Sequence, residues 1–67
     1  MYFIEFKRYG KEMPFEPLCY DKGQRIEYKS REVALKSAHF KFFSDSSVEC
    51  VRLMENKPSV IVSLNRS

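Results

Sequence analysis

The sequence predicts an α+β fold in which one helix, at about residues 31–43, packs on a small antiparallel sheet of three to five strands. Three observations predict it. Apolar residues occupy the alternate positions 2, 4 and 6 of the segment 2–8, apolar residues recur at helical spacing over 31–43, and two segments rich in β-branched residues follow at 48–54 and 59–64. A helix laid on one face of an antiparallel sheet buries both apolar surfaces with short connections. With 67 residues, the chain has the length of one domain, residues 1–67.

The first strand is predicted at residues 2–8. Its side chains alternate between two faces, with Tyr2, Ile4 and Phe6 on one of them. We expect this face to point into the core.

An irregular connection is predicted over residues 10–23, because two glycines and two prolines interrupt it. A short strand at residues 18–20 can pair as a hairpin with a second strand at residues 24–28. The turn between them is Asp21-Lys22-Gly23.

The helix is predicted to begin after Ser30, whose hydroxyl can accept a hydrogen bond from an amide of the first turn. Glu32 places a negative charge near the positive end of the helix dipole. The segment Ser44-Asp45-Ser46-Ser47 is typical of a turn and is expected to end the helix.

The last two strands, at residues 48–54 and 59–64, should form an antiparallel hairpin around the turn at residues 55–58. The buried face of the first of them stays open, because Val51 and Leu53 compete with a second set: Val48, Cys50 and Met54. The predicted core joins three helical residues to six strand residues. They are Leu35, Ala38 and Phe42, with Ile4, Phe6, Ile26, Tyr28, Val60 and Val62.

The helix carries two apolar stripes, although a domain this small needs only one for its core. Ala34, Leu35, Ala38 and Phe42 form the first stripe, and Val33, Phe40 and Phe43 lie far around the helix on the second. Large apolar groups that adjoin each other are rarely left exposed on a monomer, so the second stripe indicates a partner. Alternatively, the N-terminal loop covers it through Met13, Phe15 and Leu18.

Composition indicates a folded cytoplasmic protein. Apolar residues make up 43% of the chain, and the apolar run after Met1 is broken by charge after three residues, far short of a signal-peptide core or a membrane span. Cys19 and Cys50 are expected to be reduced packing residues. Acidic and basic residues alternate, which is typical of an ordinary solvated surface.

Nothing in the sequence indicates catalysis, and no cofactor or metal is expected. His39 is the only histidine, and no nucleophile motif surrounds it. Together with Cys19 and Cys50 it makes three widely spaced candidate ligands, whereas a structural zinc site normally has four, two of them close in sequence. Neither glycine belongs to a phosphate-binding loop.

Two kinds of binding site stay open. The leading hypothesis is a protein-binding site on the second helical stripe, with Val33, Phe40 and Phe43 as apolar anchors and Lys36 and Lys41 at the rim. A homodimer through a sheet edge or a helix face is a related possibility.

The alternative is a nucleic-acid-binding surface that combines rings for base stacking with charges for phosphates. Its residues would be Phe3, Lys7, Arg8, Tyr9 and Lys11. The aromatic and glycine pattern of an RNA-recognition strand is missing, and Glu5 interrupts this face of the strand.

The order of a strand at Ile26-Glu27-Tyr28, a helix capped by Ser30 and a strand from Val48 to Met54 resembles that of very small phage-encoded proteins that block a host enzyme or defence complex. Members of this class include the phage inhibitor of bacterial RNA polymerase and compact anti-CRISPR proteins. The resemblance covers residues 25–64 and lies in size, element order and charge. It implies a stoichiometric inhibitor or adaptor with no chemistry of its own.

Overall fold

A four-stranded antiparallel sheet with one helix on one face makes up the fold, which confirms the predicted α+β class. The computed structural model describes residues 1–57 and 59–66. The elements are β1 (Tyr2–Arg8), β2 (Glu16–Pro17), α1 (Arg31–Ser44), β3 (Val48–Glu55) and β4 (Ser59–Asn65). The strands lie in the order β2-β1-β3-β4. Pro58, which belongs to the predicted turn at 55–58, lies outside the described residues.

The helix begins where its capping residue predicts and ends within the predicted turn. The Ser30 hydroxyl accepts a hydrogen bond from the Val33 amide at 3.3 Å, and Glu32 lies in the first turn. At the other end the Asp45 amide donates to the Lys41 carbonyl, and Ser44 is the last helical residue. The helix therefore extends one residue beyond its predicted end, and the predicted turn is confirmed from Asp45 onward, where hydrogen bonds from Ser47 to the Asp45 carboxylate stabilise it.

The core lies between the helix and the central strands β1 and β3. Its buried members include most of the predicted positions on the first stripe and on β1, and β3 adds three more. They are Ile4, Phe6, Ala34, Ala38, Phe42, Val48, Val51 and Leu53. Tyr2, Leu35, Tyr28 and Val62 are half-buried and pack against this cluster. The predicted inward face of the first strand is thus confirmed, with Tyr2 at its margin.

β3 is buried on both faces, so neither of the two competing sets alone forms the core. Val51 and Leu53 face the helix, whereas Cys50 and Met54 face the opposite side, the back face of the sheet. Val48 belongs to the helix-side core because the register between β1 and β3 shifts at Lys7 and Arg8. Such an irregularity changes which side of the sheet the following residue faces.

The prediction that Val60 belongs to the core is wrong. Its side chain is 50% exposed, because the pairing of β3 with β4 shifts register between Leu53 and Met54. Beyond that shift, Ile61 packs against the core cluster in place of Val60.

The prediction of a strand at residues 24–28 is also wrong, because no continuous strand forms there. Only isolated pairs form there, Cys19 with Arg25 and Tyr28 with Tyr2. The predicted hairpin survives in short form, since the Ile26 amide donates to the Leu18 carbonyl at 3.0 Å. Gly23 has a φ of 88° in its turn, a conformation that glycine adopts readily. The strand that pairs with the outer side of β1 is instead the two-residue strand β2.

Candidate functional site

The outward side of the helix carries a line of large apolar side chains. We call Val33, Lys36, Phe40 and Phe43 the outer stripe. Their spacing places them along one side of the helix over about 15 Å, facing away from the buried Ala34, Ala38 and Phe42. Val33 is 52% exposed, Phe40 75% and Phe43 73%. A patch of this kind is uncommon on a domain this small and marks a candidate interaction site.

Neighbouring rings hold Phe43 in place. It makes an edge-to-face contact with the buried Phe42 at 5.2 Å between ring centroids, and its ring plane is inclined by 24° to that of His39, with 6.1 Å between the centroids. The His39 Nδ1 is within 2.9 Å of the Leu35 carbonyl, so that ring is also fixed against the helix backbone. A preorganised aromatic side chain loses less conformational entropy on binding than a mobile one.

A groove of about 610 Å³ runs beside the outer stripe, between the helix and the connection that precedes it. Its apolar walls are Leu18, Tyr28 and one side of Phe40, and its remaining lining is polar: Lys36, Ser37, Lys41 and Ser44. Phe40 therefore belongs to two surfaces at once, protruding from the outer stripe and forming one wall of the groove. The sequence hypothesis missed Leu18 and Tyr28 as groove residues, because their placement depends on the irregular path of residues 10–28.

The two predicted rim lysines lie in different environments. Lys36 is exposed, and among residues 1–57 and 59–66 it has no ion pair. Lys41 turns toward the sheet, where its ammonium group lies 3.2 Å from the Asp45 carboxylate and 4.6 Å from the centre of the Phe6 ring. Lys41 thus lines the groove and is not part of the outer stripe.

The pKa of the Asp45 carboxylate is shifted well below its usual range. The main cause is donation by the Ser47 hydroxyl and then by the Ser47 amide, and the Lys41 ammonium adds a further hydrogen bond. Arg8 also approaches this carboxylate, at 3.3 Å. These contacts fix the turn after the helix and tie it to β1.

The connection from residue 10 to residue 23 leaves the outer stripe uncovered. Phe15 packs on the back face, where the Arg52 guanidinium lies 3.6 Å from the centre of its ring. Met13 stays 39% exposed, and Leu18 packs against the core cluster and lines the groove beside the outer stripe. The alternative in which this loop shields Phe40 and Phe43 is therefore not what the structure shows.

The residues of the nucleic-acid hypothesis do not share one open surface. Phe3 is 6% exposed, and the Arg25 guanidinium covers its ring at 4.0 Å. Lys7 is paired with Glu49 on β3. Arg8 is paired with Asp45 and lies over the Phe6 ring. Of the five residues, Tyr9 and Lys11 are exposed.

Much of the positive charge is matched within the chain. At least six of the twelve basic side chains contact a carboxylate or an aromatic ring: Lys7, Arg8, Arg25, Lys41, Arg52 and Arg66. On the back face, Arg52 pairs with Glu5 at 2.6 Å while it covers Phe15. Because these cations already contact carboxylates or aromatic rings of the same chain, fewer of them are free to bind phosphates.

Arg66, which sequence reasoning missed, joins the end of β4 to the end of the helix. Its guanidinium donates to the carbonyls of Asp45 at 3.1 Å and Val48 at 2.7 Å, and to that of Phe42. It also lies 4.4 Å from the centre of the Phe42 ring. A cation at a helix C-terminus is favourable because the last carbonyls lack partners. Nothing in the local sequence around Arg66 indicates this role, which depends on the sheet bringing β4 to the helix end.

The candidate metal ligands stay apart. Cys19 is a half-buried free thiol, and Cys50 is a buried one. Cys50 lies near the Ser63 hydroxyl, at 3.8 Å. Across the part of the chain that the structure describes, no three His, Cys, Asp or Glu side chains come together as a metal site would require.

No helix among the described residues is long and apolar enough to span a membrane. No family model matches the sequence, and neither a curated protein nor a solved structure shows significant similarity to it.

Proposed function

We propose that this protein is a small, non-enzymatic protein-binding module that docks on another protein through the outer stripe of its helix. It would act as a stoichiometric inhibitor or adaptor in the cytoplasm, as the resemblance to small phage inhibitors implies. The observation that carries the proposal is the exposure of three large apolar side chains along one side of the helix. Phe40 and Phe43 alone would bury about 100 Å² or more each in a partner, given the size of an aromatic side chain.

The shape of the stripe supports docking into a groove of the partner. Val33, Lys36, Phe40 and Phe43 stand at positions i, i+3, i+7 and i+10, the spacing of helices that lay one face into an apolar groove. The helix is held by a cap at each end and by its packed inner side, so little ordering is needed on binding. Docking would therefore rest on side chains that the free protein already presents.

Charge adds information about the partner. Lys36 lies within the stripe, and the chain carries a formal net charge of +3. Complementary charges across an interface raise the association rate and disfavour wrong partners. We expect the partner's apolar groove to be bordered by acidic side chains.

Catalysis has less support than binding. A histidine is the usual general base in catalysis, and the single histidine of this sequence, His39, does not line the groove. It lies on the other flank of the helix, where it contacts the Leu35 carbonyl and Phe43. The nucleic-acid alternative is weakened because Phe3 is buried under Arg25 and because Lys7 and Arg8 are paired with carboxylates.

The experiment compares three chains as bait in lysate of the natural host: wild type, Phe40→Asp and the control Tyr20→Asp. Tyr20 is 56% exposed and lies in the hairpin turn, where its backbone bonds Gln24 and Gly23. We expect one protein to be retained by the wild type and by Tyr20→Asp and to be lost with Phe40→Asp. All three chains should unfold cooperatively.

Salt dependence distinguishes the partner classes. Binding through the outer stripe, with Lys36 as its one cation, should weaken only slightly as ionic strength rises, whereas binding to nucleic acid should weaken steeply. Retention of the partner by Phe40→Asp, or its release by nuclease treatment, would contradict docking through the stripe.

A further inference from the structure

β4 is an uncovered edge of the sheet. Within residues 1–57 and 59–66 no strand pairs with its outer side, whereas the outer side of β1 is covered by β2, Leu18 and Tyr28. The seven residues of β4 include no charged residue and no proline. Natural proteins usually protect an edge strand with such residues, because an unprotected edge pairs with other strands.

The backbone of β4 presents its free groups at defined positions. The Arg66 amide donates to the Glu49 carbonyl, so Arg66 and every second residue before it, Leu64 and Val62, face β3. The amides and carbonyls of Ser63 and Asn65 consequently point outward. They are the groups that an added strand would bond.

The register shift near the start of β4 limits regular pairing to its second half. The shift lies opposite Leu53 and Met54, and from Val62 onward the pairing with β3 is regular. A strand that pairs antiparallel with an identical copy does so around a two-fold axis. A register centred on Ser63 overlaps residues 61–65: it places Ser63 opposite Ser63 of the second copy and pairs Asn65 with Ile61, the residue at the shift.

Side chains next to this edge are also incompletely covered. The helix packs mainly on β1 and β3, and Val62 and Leu64 on β4 are only half-buried. Strands lie about 4.8 Å apart, so two joined sheets would bring the helix axes roughly 15–20 Å apart on the same face. Helices in direct contact lie closer, at about 8–10 Å. The gap is wide enough for the flank of each helix to contribute a side chain such as His39.

We propose that the protein forms a two-fold symmetric dimer in which β4 pairs antiparallel with β4 of a second copy, with Ser63 opposite its own counterpart. The combination of an uncharged edge, outward backbone groups at Ser63 and Asn65, and a half-covered apolar strip favours a second copy, because two antiparallel β4 strands match amide donors to carbonyl acceptors and bring two such strips together. Both helices lie on the same face of the joined sheet. The dimer does not depend on the proposed function, although it would present two outer stripes together and raise avidity for a partner with two sites.

The test measures mass by sedimentation equilibrium over a concentration series. The wild type should rise from 8.0 kDa toward twice that mass. In Ser63→Lys or Ser63→Glu alone, like charges face each other across the axis, and the dissociation constant should rise about fivefold or more. An equal mixture of the two variants should recover at least the wild-type affinity. The matched control Ser59→Lys, at the exposed start of β4, should dimerise as the wild type does.

Amide hydrogen exchange on the wild type gives a second measurement that needs no variant. Protection of the Ser63 and Asn65 amides should increase with protein concentration, while that of the Lys11 amide should not. A wild type that stays at 8.0 kDa at every concentration overturns the dimer. Equal association of Ser63→Lys and wild type, or a mixture no stronger than its components, overturns the β4 register and assigns any self-association to another surface.

Discussion

Phe40 and Phe42, two residues apart on the same helix, should respond oppositely to the same substitution. Phe40 is 75% exposed, whereas Phe42 is 7% exposed and packs in the core. Phe42→Ala removes the ring that contacts Phe43 and lies against the Arg66 guanidinium, and it leaves a cavity beside the sheet. Such substitutions cost about 3–5 kcal/mol. For a domain of this size the total stability is about 3–10 kcal/mol, so the loss is a large part of it.

Phe40→Ala should change the free energy of unfolding by less than about 0.5 kcal/mol, because little of its side chain is in contact with the chain. In contrast to this small effect on stability, Phe40→Ala should strongly weaken binding to the partner. Truncation of a central aromatic anchor typically costs about 2 kcal/mol or more, which corresponds to about thirtyfold in the dissociation constant.

The assay is urea and thermal unfolding followed by circular dichroism, together with a binding titration once the partner is in hand. We expect a melting temperature within about 4 °C of wild type for Phe40→Ala, and a fall of at least about 12 °C for Phe42→Ala. If Phe40→Ala destabilises the fold by more than about 1.5 kcal/mol, Phe40 is a packing residue of the fold and not an anchor for a partner.

Three further predictions concern the two ends of the helix. Ser30→Ala should lower the free energy of unfolding by about 1 kcal/mol while Ser30→Asp keeps it, and an equal loss in both, measured by urea unfolding, would contradict the cap. Because the pKa of Asp45 is lower in the folded state than its unfolded value of about 3.9, its contribution to stability is present above that pH and is lost as the pH falls below it. Asp45→Asn should make unfolding less dependent on pH below about 4, and an unchanged dependence would exclude this carboxylate as a cause. Arg66→Met should lower the free energy of unfolding by about 2 kcal/mol, and Arg66→Lys should recover only part of it because one ammonium cannot replace the fork that bonds three carbonyls. Full recovery by lysine would show that charge alone is sufficient.

Local sequence signals predicted the helix and the last hairpin well. Ser30 and the turn at Asp45 bound the helix because capping depends on a few neighbouring residues. The observed strands β3 and β4 exceed their predicted ranges by one residue each. Helical spacing also predicted the second apolar stripe, since a helix can turn only one side toward a single sheet, but it left open whether the loop at residues 10–23 covers that stripe.

Long-range effects account for what the sequence did not predict. The register shift opposite Leu53 exposes Val60, and its position is set by how β3 and β4 meet. Phe3 was expected on an open face, yet Arg25 from the distant hairpin covers it. The role of Arg66 likewise depends on the helix end and the strand end coming together. None of these contacts leaves a signature in neighbouring residues.

The central position of β3 has a consequence for folding kinetics. β1 forms its main ladder with β3, so residues as far apart as Glu5 and Arg52, 47 positions along the chain, must meet before the sheet exists. Closing a loop of that length costs entropy before any contact offsets it. Folding should therefore be slower than for a helical bundle of equal length. We expect the β3–β4 hairpin and the helix to form early, and the pairing of β1 with β3 to limit the folding rate.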